Sequence, residues 1–456
     1  MIKKNPRIIH RYLISFLAFL TMSSVGISAG ETEKSPDAFK AYLEGCALPP
    51  DYITELQTPD SRNPYAVAGT LFDPELGYVF KNLIGRDGMD AARVMYSFEP
   101  DGARRIVNYR NVPCRINTYG DSFTQGNQVS DGETWQEALA AHFGEPIRNY
   151  GVGGHGVYQA YLRMKRMESG PSSARHVILN IWEDDHYRNI MASHWLHLGN
   201  WRQTIREKTN NHGFAGFMGM PWAHLRFNPR TGSWVEQTNP FNTPESVFRL
   251  GDPAFVYETY RNDTVVKLTQ GVQDYLFRGV EDVTARNDAV IKLPKSVQDD
   301  EEIQMLARHF NARVENLYTV YALASTLHVV KMAKEFADAQ GKQLIIILSY
   351  GAGTVARVLA GGTRFDQTFL DQLARIDVPV IDTMPYFKKD FMAYRLSPED
   401  YCKRIYIGHF NPAGNHFFAY AIKDDLIALL RPVPVAYDEK GVSDCELLQR
   451  LQQQPQ

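Results

Sequence analysis

Residues 343–349 read Gln-Leu-Ile-Ile-Ile-Leu-Ser, a segment of strand length with five consecutive aliphatic side chains from Leu344 to Leu348. A strand with one face in water alternates apolar and polar residues, whereas a strand covered on both faces is apolar throughout. The segment therefore predicts a buried strand of a parallel sheet, with helices packed against both of its faces.

The sequence on both sides of this strand alternates between strand and helix patterns from Cys114 onward. We predict strands at Arg115–Tyr119, Ile147–Tyr150, His176–Trp182, Gln343–Ser349 and Val378–Asp382, and helices near Thr134–Phe143, Val157–Met167, Glu315–Gln340, Asp366–Arg375 and Pro412–Leu430. Such alternation is typical of α/β proteins with short right-handed crossovers. The expected fold is a three-layer α/β/α sandwich with a mainly parallel sheet.

Other parts of the chain lack this alternation. Residues 31–112 carry many turn signals between short strand-like runs, which predicts a small β-rich N-terminal region. An insertion at about 190–305 interrupts the α/β domain, which we place at 113–435, and residues 436–456 form a C-terminal tail. A long insertion of this kind is usually a lid, a binding surface or a subdomain.

The first 30 residues predict export. Residues 1–30 combine four basic side chains, an apolar run that begins at Tyr12, and a small-residue stretch, which are the parts of a secretory signal peptide. The 18 residues from Tyr12 to Ala29 also reach the lower limit for a membrane anchor. Because Gly26 and several serines interrupt the apolar run, we expect cleavage, and a secreted or periplasmic protein without a stable membrane span.

The composition excludes several classes of protein. Hydrophobic residues make up 44% and charged residues 22% of the 456, close to the globular average, which rules out a wholly disordered chain. Lys and Arg number 49 against 52 Asp and Glu, so no basic excess indicates a nucleic-acid partner. The four cysteines (Cys46, Cys114, Cys402 and Cys445) are too few for a disulfide scaffold, although an exported protein could form two disulfides in any of three pairings.

Residues with catalytic potential follow the predicted strands, where ligands bind in doubly wound sheets. The first strand leads into Gly120-Asp121-Ser122, which can expose a serine hydroxyl at a helix N-terminus. The alternative is a turn in which Ser122 only caps the helix. The sequence also places His409 just ahead of a helix that begins at Pro412, where a histidine can be held at the end of the sheet or simply face solvent.

The second strand ends in a glycine-rich loop, Gly151-Val152-Gly153-Gly154-His155-Gly156. Its backbone N–H groups can point at a developing oxyanion, because glycines adopt the torsions that this requires. The same letters match the G-x-G-x-x-G dinucleotide pattern, but no convincing acidic residue ends a second strand about 20 residues later. The third strand ends in Glu183-Asp184-Asp185-His186, which could hold a metal ion, although Arg188 is close enough to pair with the acids.

Together these segments resemble the SGNH (GDSL-type) hydrolase superfamily in order, spacing and placement at strand ends. Gly120-Asp121-Ser122 looks like the first sequence block, whose serine is the nucleophile. Residues 149–154 resemble the second block, in which Gly154 takes the place of the oxyanion glycine. Asp184 falls at the oxyanion asparagine of the third block, and His409, ahead of Asn-Pro-x-Gly, resembles the catalytic histidine of the fifth.

Two positions depart from the superfamily pattern. Asp184 replaces the asparagine, and a carboxylate cannot donate a hydrogen bond unless it is protonated. The acid that orients the histidine normally stands three residues before it, where this chain has Tyr406. Either another carboxylate substitutes, such as Asp382 at a strand end or an acid of residues 183–185, or the serine and the histidine act as a dyad, which we favour slightly.

The resemblance implies a serine esterase that needs neither a cofactor nor a metal. His409 would take the proton of Ser122 as the serine attacks an ester carbonyl, and the backbone N–H groups of Ser122 and Gly154 would receive the oxyanion. Aromatic rings stack on sugars, so four tryptophans of the insertion suggest an O-acetylated carbohydrate as the substrate, with a small ester as the other choice. These tryptophans are Trp195, Trp201, Trp222 and Trp234. Packing in the core of the insertion is an equally weighted role for them.

Two other functions remain open on the sequence. An exopolysaccharide O-acetyltransferase of the same fold would share the nucleophile, and it would differ by keeping water away from the acyl-enzyme. A non-catalytic carbohydrate-binding protein would account for Asp184 and Tyr406, because neither matches the catalytic pattern.

Overall fold

The structure is a computed structural model, and it describes residues 36–50, 53–54, 69–197, 219–269, 293–434, 443, 445–446 and 449. The predicted signal peptide, Trp201 and most of the predicted C-terminal tail lie outside the described residues. Among the residues that are described, no helix is both long and apolar enough to cross a membrane.

The described strands and helices are named in chain order. The strands are β1 (Thr70–Asp73), β2 (Gly77–Phe80), β3 (Leu83–Gly85), β4 (Val94–Tyr96), β5 (Ile116–Tyr119), β6 (Arg148–Asn149), β7 (His176–Trp182), β8 (His224–Asn228), β9 (Ser233–Gln237), β10 (Gln343–Ser349) and β11 (Val380–Asp382). The helices are α1 (Pro36–Glu44), α2 (Ser122–Gln125), α3 (Trp135–Phe143), α4 (Val157–Glu168), α5 (Asp185–Arg188), α6 (Pro244–Phe248), α7 (Pro253–Tyr260), α8 (Thr264–Thr269), α9 (Lys295–Gln298), α10 (Glu301–His309), α11 (Val314–Ala339), α12 (Ala352–Leu359), α13 (Gln367–Leu373), α14 (Met384–Phe391), α15 (Pro398–Lys403) and α16 (Pro412–Leu430).

A five-stranded parallel sheet in the order β11-β10-β7-β5-β6 lies at the centre and is flanked by helices. Numbered along the chain, its strands follow the doubly wound order 2-1-3-4-5. The strand that carries the aliphatic run, β10, pairs with β7 over seven residue pairs, and its residues 344–349 are all buried. The predicted α/β class with a parallel sheet is therefore confirmed.

The predicted elements of the sheet domain are present, and β7, β10 and α16 have the predicted bounds. The edge strands are shorter than predicted, since β6 has two residues and β11 three. Helices α12, α14 and α15 were not predicted. Helix α12 buries Thr354, Val355 and Val358 on one face, so packing overrides the low helix propensity of Gly353.

The described part of the N-terminal region includes helix α1 and two antiparallel hairpins, β1–β2 and β3–β4. Leu76 and Ala103 of this region belong to the same hydrophobic core as the central sheet. Tyr78 belongs to a second core, which is formed mainly by the described part of the insertion. The region therefore packs on the sheet domain through both cores.

The insertion builds this second core around buried aromatic side chains. Trp195 and Trp222 are 2% and 0% exposed, and Trp234 is half-buried and stacks on Tyr321 and His328. The packing role is therefore the one that applies to Trp195 and Trp222, which present no face to a sugar. Helix α11 joins the two cores, with Tyr318 in the second and Val329 in the first.

The cysteines form no disulfide in the structure, and all four lie among the described residues as free thiols. Cys46 and Cys402 are buried, Cys114 is partly buried and Cys445 is exposed. Three of the thiols donate to backbone carbonyls, Cys46 to Tyr42, Cys114 to Ile116 and Cys402 to Ala352. The disulfide pairings that an exported protein would permit are therefore not realised here.

Candidate active site

Ser122 is the first residue of α2, directly after the turn that ends β5. Gly120 is required in this turn, because a Cβ at that position would lie 2.2 Å from Thr124 Oγ1 and 2.5 Å from the carbonyl oxygen of Asn180. Asp121 caps the helix, since its Oδ1 accepts a hydrogen bond from the backbone N–H of Phe123 at 2.9 Å. The capping role therefore belongs to Asp121, whose other oxygen, Oδ2, accepts from Ser122 Oγ at 3.1 Å.

The structure brings Ser122 and His409 together although 287 positions separate them in the sequence. His409 Nε2 lies 2.8 Å from Ser122 Oγ. The imidazole is in the loop before α16, whose first turn is held by Asn411, because the Asn411 side chain accepts from the backbone N–H of Gly414 at 2.8 Å. On its other side the ring packs against Phe123, with 5.0 Å between the ring centres.

The second nitrogen of the imidazole faces Gln128, a residue that the sequence did not single out. Gln128 Oε1 lies 3.1 Å from His409 Nδ1 and 2.7 Å from the backbone nitrogen of His409. A carbonyl oxygen only accepts hydrogen bonds, so Nδ1 carries the proton and Nε2 is left to accept from the serine hydroxyl. This is the tautomer that a general base requires.

Tyr406 and Asp382, two of the residues considered as the third member of the site, make other contacts. Tyr406 Oη donates to the backbone carbonyl of Tyr350 at 2.9 Å. Asp382 forms an ion pair with Arg364 at 2.5 Å and accepts from Tyr350 Oη at 3.1 Å. Within the described part of the chain, no carboxylate is hydrogen-bonded to the His409 ring. The ring is thus held by a neutral amide in place of an acid.

Burial and a nearby positive charge keep His409 neutral. Burial lowers the pKa of His409 to about 4, and the charge of Arg188 acts in the same direction. Gln128 carries no charge that would oppose either effect. At neutral pH the ring is therefore the unprotonated base.

The loop after β6 lies against α2 and brings Gly154 to the same end of the sheet. Gly151 is in close contact with this helix, because a Cβ there would lie 2.2 Å from the backbone nitrogen of Gln125. The backbone N–H of Gly153 donates to Gln125 Oε1 at 2.6 Å, and His194 Nε2 lies 2.7 Å from the carbonyl oxygen of Gly154. Gly154 has a φ of 86°, which favours glycine.

Two backbone amides of this area remain available to a ligand. Among the described residues, neither the N–H of Ser122 nor that of Gly154 donates to an acceptor. Ser122 is 6% exposed, and Gly154 and His409 are partly exposed. Both N–H groups are therefore without a protein acceptor among the described residues, which an oxyanion-binding role requires.

Asp184, predicted at the oxyanion site, belongs to a cluster around Arg188. Arg188 Nη2 lies 3.3 Å from Asp184 Oδ2, while Nη1 lies 2.7 Å from Asp185 Oδ1 and 3.5 Å from Asp121 Oδ2. Burial raises the pKa of Asp121, and burial and the charge of Asp121 raise that of Asp185 well above its usual value. Asp184 thus acts as an acceptor for Arg188.

His186, which was considered as a metal ligand together with the acids of residues 183–185, has a different partner. His186 Nδ1 lies 2.8 Å from Thr326 Oγ1, so the histidine does not join the neighbouring acids. No group of three or more metal-binding side chains comes together in the described ranges. In the loop of residues 151–156, Gly156 is in close contact with Arg188, because a Cβ there would lie 2.7 Å from Arg188 Cβ. The last glycine of a dinucleotide fingerprint also serves close packing, so this contact does not decide between the two interpretations of the loop.

Comparison with known proteins adds no further assignment. The chain matches no model of a protein family, and a search of curated proteins found no match.

Proposed function

We propose that this protein is a serine esterase that acts through an acyl-enzyme on Ser122. His409 accepts the hydroxyl proton through Nε2 as Ser122 Oγ attacks the ester carbonyl, and it then returns that proton to the leaving alcohol. The N–H groups of Ser122 and Gly154 stabilise the oxyanion. Water, activated by the same histidine, releases the acid and restores the serine.

One observation carries this proposal. The 2.8 Å contact between Ser122 Oγ and His409 Nε2 is accompanied by an acceptor on Nδ1, which sets the tautomer of the ring. A binding protein has no need of a serine paired with a base of fixed tautomer at the end of a parallel sheet. The arrangement therefore favours a catalyst over a non-catalytic carbohydrate-binding protein.

The proposal is tested by hydrolysis of p-nitrophenyl acetate by the chain that follows the predicted signal peptide. We expect turnover by the wild-type protein and none above background in Ser122→Ala. Ser169→Ala is the matched control and should keep wild-type turnover, because the exposed Ser169 hydroxyl lies at the end of α4 and donates to the carbonyl oxygen of Lys165 at 2.8 Å. Equal activity in Ser122→Ala and wild type would reject Ser122 as the nucleophile.

The substrate class and the compartment are separate parts of the proposal. We propose export to the periplasm or the medium on the basic and apolar pattern of residues 1–30. N-terminal sequencing of exported protein should find a chain that begins near Gly30 or Glu31. A carbohydrate ester remains the proposed substrate, although the burial of Trp195 and Trp222 removes two of the indole rings that suggested it.

A further inference from the structure

We propose that Gln128 is the positioning residue of the active site and takes the place of the missing acid, and that the N-terminal region holds it there. The inference rests on the proposed function, since it assigns a role in serving His409 as a base. Gln128 lies six positions after Ser122, and its side chain is buried. Its contacts extend in two directions, toward His409 and toward the hairpin β3–β4.

The contacts at both ends of the Gln128 amide fix its orientation. Gln128 Nε2 donates to the backbone carbonyl of Asp87 at 3.0 Å, and only the nitrogen of an amide can do so. The other end, Oε1, accepts from the backbone N–H of His409 at 2.7 Å and lies 3.1 Å from Nδ1. A flipped amide would lose both backbone hydrogen bonds. Oε1 is therefore held as the acceptor of the Nδ1 proton.

The backbone of Gln128 is in a conformation that side chains rarely adopt. Its φ is 70°, in the left-handed region, which disfavours a residue with a Cβ. Its N–H donates to Tyr96 Oη at 2.7 Å, and that hydroxyl in turn donates to Asp87 Oδ2 at 3.2 Å. A strained residue held by several outside contacts is typical of a functional site. Here all the outside contacts except that to His409 come from the N-terminal region.

Arg104, also of the N-terminal region, fixes the rest of this loop. It is 2% exposed, and its side chain donates to the carbonyl oxygens of Gln125, Gly126 and Val129 at 2.5–2.6 Å. It also pairs with Asp131 at 3.1 Å. The residues on both sides of Gln128 are therefore anchored to a single buried guanidinium.

The charged groups around the imidazole show what a neutral acceptor at Nδ1 changes. Arg188 disfavours the protonated ring, and the carboxylate of Asp121 accepts from Ser122 Oγ at 3.1 Å. Gln128 itself contacts Asp87 through the backbone carbonyl of that residue. A carboxylate at position 128 would place a negative charge next to Nδ1 and favour the imidazolium. The amide fixes the same tautomer without that charge, which leaves the ring neutral to low pH.

The test compares kcat/KM for p-nitrophenyl acetate between pH 3.5 and 9 in the wild type and three variants. Gln128→Met keeps the length of the side chain without its hydrogen bonds, and we expect a loss of about 10- to 150-fold at pH 7. In Gln128→Glu we expect the acidic limb of the profile to rise by about one to three pH units. The control is Tyr406→Phe, because Tyr406 occupies the sequence position of the missing acid. Its kcat/KM should stay within threefold of wild type, and the acidic limb of its profile should not move.

Each result decides between defined alternatives. The role of Gln128 would be overturned if kcat/KM of Gln128→Met stays within threefold of wild type, or if the acidic limb of Gln128→Glu does not move. The proposed esterase would still be supported in that case, provided that activity disappears in Ser122→Ala. A wild-type protein whose activity does not depend on Ser122 would instead overturn the proposed function. Circular dichroism checks that the variants fold, and should Gln128→Met fail to fold, the limb of Gln128→Glu decides alone.

Discussion

Hydrogen bonds at the two nitrogens of one imidazole connect the residues of the candidate site. Nε2 of His409 faces Ser122 Oγ at 2.8 Å, and Nδ1 faces an amide oxygen at 3.1 Å. An acid at the second position would fix the tautomer and also stabilise the imidazolium that forms during the reaction. An amide fixes the tautomer but supplies no negative charge to stabilise the imidazolium. In this site the base is therefore oriented without that stabilisation.

The serine and the histidine should behave as one unit. If Ser122 attacks only when His409 takes its proton, either alanine substitution removes nearly all ester turnover, on the order of 10³-fold or more. The double variant should then lose little beyond either single variant. Single-turnover and steady-state rates of the three variants measure this, and losses that multiply would show that the two side chains act independently.

The low pKa of His409 predicts an unusual pH profile for the wild type. The base is active when it is unprotonated, so activity present above the pKa is lost as the pH falls through it. Because burial and the charge of Arg188 lower the pKa of His409 to about 4, kcat/KM should be level at neutral pH and halved only near pH 4. A profile with its acidic midpoint near 6.5, the ordinary pKa of histidine, would contradict this lowering of the pKa of His409.

The ends of three strands bring the site together. Strand β5 delivers Ser122, the loop after β6 delivers Gly154, and β7 ends at the Arg188 cluster. In the order 2-1-3-4-5 the chain reverses direction between β5 and β7, which is where ligands bind in open α/β sheets. The topology thus explains why residues far apart in sequence meet at this edge.

The sequence predicted some elements better than others, for physical reasons. The bounds of β7 and β10 are marked by continuous apolar runs, and those of α16 by Pro412 at its start. Helix α12 was missed because its glycines suggest a loop while its burial depends on the neighbouring elements. Gln128 was missed for the same reason, because its role exists only through contacts with distant residues such as Asp87 and His409.

The cluster at the end of β7 predicts a pH-dependent loss of stability in Arg188→Met. Asp121 and Asp185 have pKa values raised in the folded state, so they bind protons more tightly when folded, and stability falls as the pH rises above their ordinary values. Without Arg188 the pKa values rise further. We expect a small deficit near pH 4 and a loss of about 3–5 kcal/mol in the free energy of unfolding near pH 8.

Urea unfolding at both pH values measures this effect. Arg230→Met is the control, because the pair of Arg230 with Glu301 is exposed on both sides and should contribute little at any pH. A deficit in Arg188→Met that does not change with pH would mean that packing, and not the charge of the guanidinium, is what Arg188 supplies.

Contacts across the whole chain tie the N-terminal region to the sheet. Residues of this region lie in both hydrophobic cores, and Arg104 donates five side-chain hydrogen bonds, four of them to the segment of residues 125–131. Buried groups with many partners are costly to remove, because each partner is left without water or protein to replace the bond. We therefore expect the N-terminal region and the sheet to unfold together.

Arg104→Met tests this coupling in the complete chain. The substitution removes the guanidinium donor from the carboxylate of Asp131 and from the carbonyls of Gln125, Gly126 and Val129, so we expect a loss of about 3–5 kcal/mol in the free energy of unfolding. Arg110→Met is the matched control within the same region, because its pair with Glu99 is exposed and should contribute less than about 1 kcal/mol. Within each variant, fluorescence and circular dichroism during urea unfolding should give the same midpoint. If Arg104→Met unfolds in two separated transitions and still hydrolyses the ester after the first transition, the sheet keeps a working site without the N-terminal region. That result would contradict the role of the N-terminal region in holding Gln128.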